Sequence, residues 1–221
     1  MTRRPVVAIA AFGGAAAAYV LMVRPWHLRW GSTDPETDGP MPGDGLIDSP
    51  DLTATRAITI GAPPDQVWPW IAQLGQGRGG FYSYDFLENL AGCDIHSVDR
   101  IVPQWQDVSV GDEIRLAPEV RMAVAVVEPG RSLVVRGGVP MGNIPPPYDF
   151  TWAFDVRGEV DGTTRLVVRD RYAYTRPWAR LLVEPVEVVS FLMTHRMLRG
   201  VRDRVERGRS EPAISALPSR S

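Results

Sequence analysis

From Leu52 onward the chain carries a series of short strand patterns broken by turn signals, and it closes on a single long amphipathic helix pattern. Leu52–Ile60 (LTATRAITI) alternates as a strand does, and further strand patterns fall at Ile114–Leu116, Arg121–Val127, Leu133–Arg136, Phe150–Val156 and Arg165–Tyr174. Val110-Gly111-Asp112, Pro129-Gly130 and Asp161-Gly162 read as tight connections. The closing element runs from about Pro185 to Arg207, with Val186, Val189, Met193, Met197, Val201 and Val205 at helical spacing. One helix following so many strands must bury its stripe against the sheet. The expected class is therefore α+β, a curved antiparallel sheet wrapped around the long C-terminal helix. Such wrapping leaves room for a cavity between the concave face and the helix.

The remaining helical signals lie near the start. Ala62-Pro63-Pro64-Asp65 opens a helix with Val67, Trp68, Ile71 and Leu74 on one side; Pro69 should kink or shorten it, and Gly75 ends it. Phe81–Leu90 reads as a strand or turn leading into a second short helix.

Ahead of this domain stands Pro5–Val23, nineteen residues without a charge. As a helix it spans about 28 Å, close to the hydrocarbon thickness of a bilayer. Arginines flank it, and Trp26 and Trp30 stand where interfacial aromatics are common. Residues 1–30 are thus expected to form one transmembrane helix, a single-pass anchor that precedes the domain. A cleavable signal peptide competes, with Ala16 and Ala18 as its small residues. Cleavage there leaves Tyr19–Val23 as an apolar stub, which favours an uncleaved anchor. The arginines are balanced on the two sides and leave the orientation open. Residues 31–50, rich in Pro, Gly and Asp, read as an extended linker, residues 51–207 as the folded domain and residues 208–221 as a disordered tail.

Composition removes several functions. The 221 residues carry 24 basic and 26 acidic side chains, a net charge of −2, which argues against nucleic-acid binding. The single cysteine, Cys93, excludes an intrachain disulfide. Cys93, Asp94, His96 and Asp99 are close in sequence, but the set lacks metal-ligand spacing, so neither a metal nor another cofactor is expected. Gly75–Gly80 (GQGRGG) lacks the Lys-Ser/Thr ending and the strand-loop-helix setting of a phosphate loop, so it reads as a flexible loop, with a gate over the cavity as a further reading.

Several of these segments resemble one known superfamily. Ile58–Trp68 (ITIGAPPDQVW), Val110-Gly111-Asp112, Val127–Gly130 leading to Leu133, Thr151–Phe154, Thr164–Leu166 and the closing helix follow, in order, the pattern of SRPBCC proteins, also called START-like or polyketide cyclase-like proteins. The resemblance covers about Leu52 to Arg207, and the stretch GQGRGGFYSYDFLENLAGCDIHS is similar to a membrane-anchored bacterial subgroup. It implies the helix-grip fold and a hydrophobic ligand cavity, and does not imply catalysis.

Candidate site residues follow from face and chemistry. The aromatic residues Tyr82, Trp105, Trp152 and Tyr172 combine a large apolar ring with a polar handle, which suits a cavity wall. Met193 lies on the stripe of the closing helix. In Arg165–Tyr174, strand alternation puts Leu166, Val168, Asp170 and Tyr172 inward and the arginines outward. An inward Asp170 must find a partner or take a raised pKa. It is either a polar anchor or acid–base group, or half of a structural ion pair with an arginine such as Arg136. His96 is expected to line the cavity or to be buried and hydrogen-bonded, and is a further candidate acid–base group.

Three functional readings remain. The leading one is a membrane-tethered protein that binds a small hydrophobic or amphipathic ligand, a lipid or polyketide-like compound. The second is a cyclase/aromatase or hydrolase using Asp170, Tyr82 and His96. The third is a non-catalytic interaction or stress-response scaffold. No protein partner is indicated. A closed, dry interior favours the scaffold; an open cavity with Asp170 or His96 at hydrogen-bonding distance from another polar group raises the enzyme reading.

Overall fold

The computed structural model describes residues 18–139 and 145–215, with side chains through 208. Six strands form one antiparallel sheet: β1 (Leu52–Ile60), β2 (Glu113–Ala117), β3 (Val120–Glu128), β4 (Ser132–Gly137), β5 (Tyr148–Gly158) and β6 (Thr164–Tyr174), in the order β1-β6-β5-β4-β3-β2. A helical turn at Tyr19–Val23 leads into α1 (Arg24–Leu28), and α2 (Asp34–Asp38) follows. Helices α3 (Pro64–Ala72) and α4 (Asp85–Leu90) fall between β1 and β2, and α5 (Ala179–Ser215) closes the chain. This is the α+β, helix-grip arrangement expected from the strand and helix patterns.

The alternation of each strand decides what it buries. Ile58 and Ile60 of β1, Met122 and Val124 of β3, Leu133 and Val135 of β4, Phe154 and Val156 of β5 and Leu166 and Val168 of β6 share a core with Met197, Leu198, Val201 and Val205 of α5. Pro64 serves the first turn of α3 as read, and Pro69 lies inside that nine-residue helix. Gly111, Gly130 and Gly162 have positive φ, the backbone state that each predicted turn needs.

The boundaries differ from expectation in three places. First, residues 31–50 are not an extended spacer. Thr33 and Glu36 form a capping box that starts α2, and the segment then lies along the outer face of the sheet. Met41 and Leu46 pack on Ala57, Val134, Ala153 and Val167. The acids of this strap meet the outward arginines of β6: Glu36 accepts from Arg165 at 2.7 Å, while Asp44 pairs with Arg169 at 2.6 Å and with Arg171 at 2.7 Å. An acidic segment beside a row of largely buried arginines is stabilised in place rather than solvated.

Second, part of the expected anchor belongs to the domain. Arg24 makes two hydrogen bonds to Glu184 of α5, at 2.9 and 2.8 Å. Trp26 stacks edge-on to Phe191, and Trp30 to His195. These two tryptophans therefore contact α5. Residues 5–17 of the uncharged stretch lie outside the described residues, and among the described residues no helix is long and apolar enough to cross a membrane.

Third, α5 begins before Pro185 and its backbone stays helical through Ser215, beyond the expected end at Arg207. The tail expected at 208–221 is thus helical over 208–215, and residues 216–221 lie outside the described residues.

Candidate functional site

A cavity of about 620 Å³ lies between the concave face of the sheet and α5. Tyr148, Phe150 and Trp152 of β5 and Asp170 and Tyr172 of β6 form one wall; Val186, Val189, Ser190, Met193 and Met197 of α5 form the opposite one. Phe81, Leu87, Glu88 and Cys93, on and around α4, close the side. The rings are mutually packed, with Phe150 and Tyr172 centroids 4.6 Å apart and Phe81 and Trp152 5.8 Å apart. Leu87, Val139, Val186, Val189 and Leu192 line the cavity yet remain exposed, so apolar surface runs from the interior to the outside. Val186 and Val189 head the apolar stripe of α5 but overhang this opening instead of packing on the sheet.

At the inner end stands a buried ionic cluster. Arg56 of β1 lies diagonally across from Asp170, in a register that pairs Ala54 with Asp170. Its Nη1 donates to Asp170 Oδ2 at 3.0 Å, its Nη2 to Glu187 Oε1, and its Nε to the carbonyl of His27 at 3.0 Å. All three side chains are fully buried. One guanidinium thus serves two carboxyls. Burial is the largest influence on both and outweighs the attraction of Arg56, raising Asp170 to about 6 and Glu187 to about 7. Asp170 Oδ1 and Glu187 Oε2 have no hydrogen-bond partner among the described residues. The Ser190 hydroxyl faces Asp170 and favours its ionised form.

A second carboxyl faces the cavity from α4. Burial, with the Asp85 charge second, raises Glu88 to about 7, and its Oε2 is likewise unpartnered.

Of the residues singled out from the sequence, the structure brings Trp152, Asp170, Tyr172 and Met193 together on the cavity wall. Tyr82, Trp105 and His96 do not join them. Tyr82 has a φ of 57° and turns into the core, where its hydroxyl accepts from Gln73 Nε2 at 2.9 Å and donates to the Trp70 carbonyl at 3.2 Å. Trp105 ends a helical turn (Pro103–Trp105), and its carbonyl accepts from Arg78. His96 is 80% exposed and meets only Asp94, at 3.1 Å. Both lie in the irregular segment between α4 and β2, where no periodicity indicates a direction.

The expected Asp170–Arg136 pair does not form either. Arg136 is on the outer face of β4 and pairs with Asp149. The glycine-rich loop is closed on itself: Gly75 and Gly80 exchange backbone hydrogen bonds, and a Cβ on Gly79 would stand 2.7 Å from the Gln73 carbonyl. Its glycines answer to close packing.

Sequence reasoning missed Arg56, Glu187 and Glu88. The signal for Arg56 was present, because it alternates in step with Leu52, Ala54, Ile58 and Ile60. Glu187 lies on the buried side of α5 with Val183 and Phe191, a face the sequence pattern passes over.

The cavity, the wrapped sheet and the long helix place the chain in the helix-grip class. No protein-family model matches the chain, and no curated protein does. Solved structures of similar fold include a protein from Mesorhizobium loti, 15% identical over 71% of this chain and 98% of that one, with a TM-score of 0.43. A polyketide cyclase-like protein from Corynebacterium glutamicum is 17% identical over 70% of this chain and 91% of that one, with a TM-score of 0.40. A norcoclaurine synthase point mutant from Thalictrum, in complex with a transition-state analogue, is 13% identical over 72% and 96%, with a TM-score of 0.44.

Proposed function

We propose that this protein binds a small hydrophobic or amphipathic molecule, a lipid or polyketide-like compound, between the sheet and α5, close to a membrane entered by the uncharged segment 5–23. The observation that carries the reading is the cavity itself: about 620 Å³, walled by aromatic and aliphatic side chains and continuous with exposed apolar residues at its rim. A pocket of that size and character suits a ligand that gains by leaving water. Tethering rests on composition, together with the exposure of Val20, Leu21 and Met22 just ahead of α1. A tether raises the effective concentration of the pocket for membrane-derived molecules.

Of the acid–base groups of the enzyme reading, Asp170 lines the cavity and is hydrogen-bonded to Arg56, whereas Tyr82 and His96 are not among its lining residues. Mass spectrometry of small molecules extracted from the purified full chain, with displacement of the apolar dye N-phenyl-1-naphthylamine, tests the binding reading. A co-purifying apolar compound that displaces the dye supports it; no dye binding and no compound overturns it. Recovery of the full chain in the membrane fraction after a carbonate wash tests the tether.

A further inference from the structure

We infer that the cavity selects an apolar molecule carrying a protonated amine, whose ammonium group is received by Asp170 at the inner end and favoured by Glu88 nearer the opening. This deepens the proposed cavity binding and rests on it. Asp170 and Glu88 are the ionisable acids of the lining, and no Lys, Arg or His stands on the wall among the described residues.

The guanidinium that offsets Asp170 is itself shared. Arg56 binds one oxygen of Asp170 and one of Glu187, leaving Asp170 Oδ1 unpartnered in a side chain that is 2% exposed. With both carboxyls ionised, the cluster holds one positive and two negative charges. A buried excess negative charge is costly, and a cation placed against Oδ1 neutralises it while supplying the missing hydrogen bond. Ser190, also on the wall, offers a hydroxyl to the same head group. A carboxylate or phosphate head group entering this cavity meets acids and no compensating cation. The physics therefore rejects anionic amphiphiles as firmly as it admits cationic ones.

The experiment displaces N-phenyl-1-naphthylamine from the full chain at pH 7.5 with dodecylamine, 1-dodecanol and dodecanoate, three head groups on one chain length. The amine should compete about ten-fold more tightly than the alcohol, and the carboxylate least. In Asp170→Asn the dye should still bind while the preference for the amine falls. Glu88→Gln, on the side of the opening and outside the buried cluster, should narrow it too, so the assignment is testable even if the Asp170 variant folds poorly. Dodecanoate or dodecanol competing as well as dodecylamine overturns the assignment but leaves cavity binding intact. Failure of the dye to bind, with no apolar compound co-purifying, overturns both.

Discussion

Arg56 and Asp170 meet at 3.0 Å across the β1–β6 pair, both fully buried, and Glu187 reaches the same guanidinium from α5. The cluster ties the sheet to the helix through polar groups in an otherwise apolar interface. Arg56→Met leaves two buried carboxyls without their shared cation, a change that typically costs about 3–5 kcal/mol. Chemical denaturation at pH 7 should register it as a lower midpoint.

The same pair gives a pH signature. Burial holds Asp170 and Glu187 above the carboxylate range of an unfolded chain, and the two titrate together as a coupled pair. They hold protons in the native state that the unfolded chain has released. Their contribution is fully present below about pH 4 and is lost as pH rises through 6 and 7. The groups facing them are Arg56 of β1, Tyr172 of β6, Ser190 and Glu184 of α5 and, through Arg56, His27 of α1. In Arg56→Met both folded values rise further, so the deficit in melting temperature relative to the parent should widen between pH 5 and pH 8. A deficit independent of pH would refute the pairing.

The strap can be released from the sheet. Arg169 donates to Thr55 Oγ1 and Asp44 and to the carbonyls of Glu36, Thr37 and Gly39. Arg169→Met deprives those acceptors of their donor, at a cost of about 2–4 kcal/mol. Limited proteolysis should then cut within residues 31–50, where the parent chain resists.

Met193→Trp should fill the cavity without touching the ionic cluster. A bulkier ring on the α5 wall leaves less room for a ligand, so dye affinity should fall by about ten-fold or more while the unfolding free energy changes by about 1–3 kcal/mol at most. Unchanged dye binding would place the dye elsewhere.

Helix α5 passes the Tyr82 turn through a glycine. A Cβ on Gly200 would sit 2.1 Å from the Tyr82 carbonyl oxygen and 2.9 Å from its Cβ. Backbone cannot yield cheaply, and Tyr82 already has a positive φ. Gly200→Ala should therefore cost about 1–3 kcal/mol despite alanine's better helix propensity. A stabilised variant would show that the helix can shift away.

Much of this was legible from residue pattern. The limits of β1 agree with the LTATRAITI alternation, and every other strand appears within a few residues of its pattern. Asp170 was correctly placed inward and the β6 arginines outward, because side-chain direction in a strand is a local property. Tyr82, Trp105 and His96 went astray because they lie in turns and irregular backbone, where direction is set by packing rather than by periodicity. The strap was partly legible: the Thr33-x-x-Glu36 capping box is a local signal hidden within a Pro- and Gly-rich composition.

The sequence by itself determined the element types, the inward and outward rows and the presence of an acidic segment and an arginine-rich strand, since these depend on neighbours within a few residues. Only the tertiary structure decided that the acids cover those arginines, that Asp170 pairs with Arg56 rather than Arg136, and that Val186 and Val189 overhang an opening. Each of these is a contact between groups distant along the chain, and its free energy depends on burial and distance, which exist only once the sheet has closed around the helix.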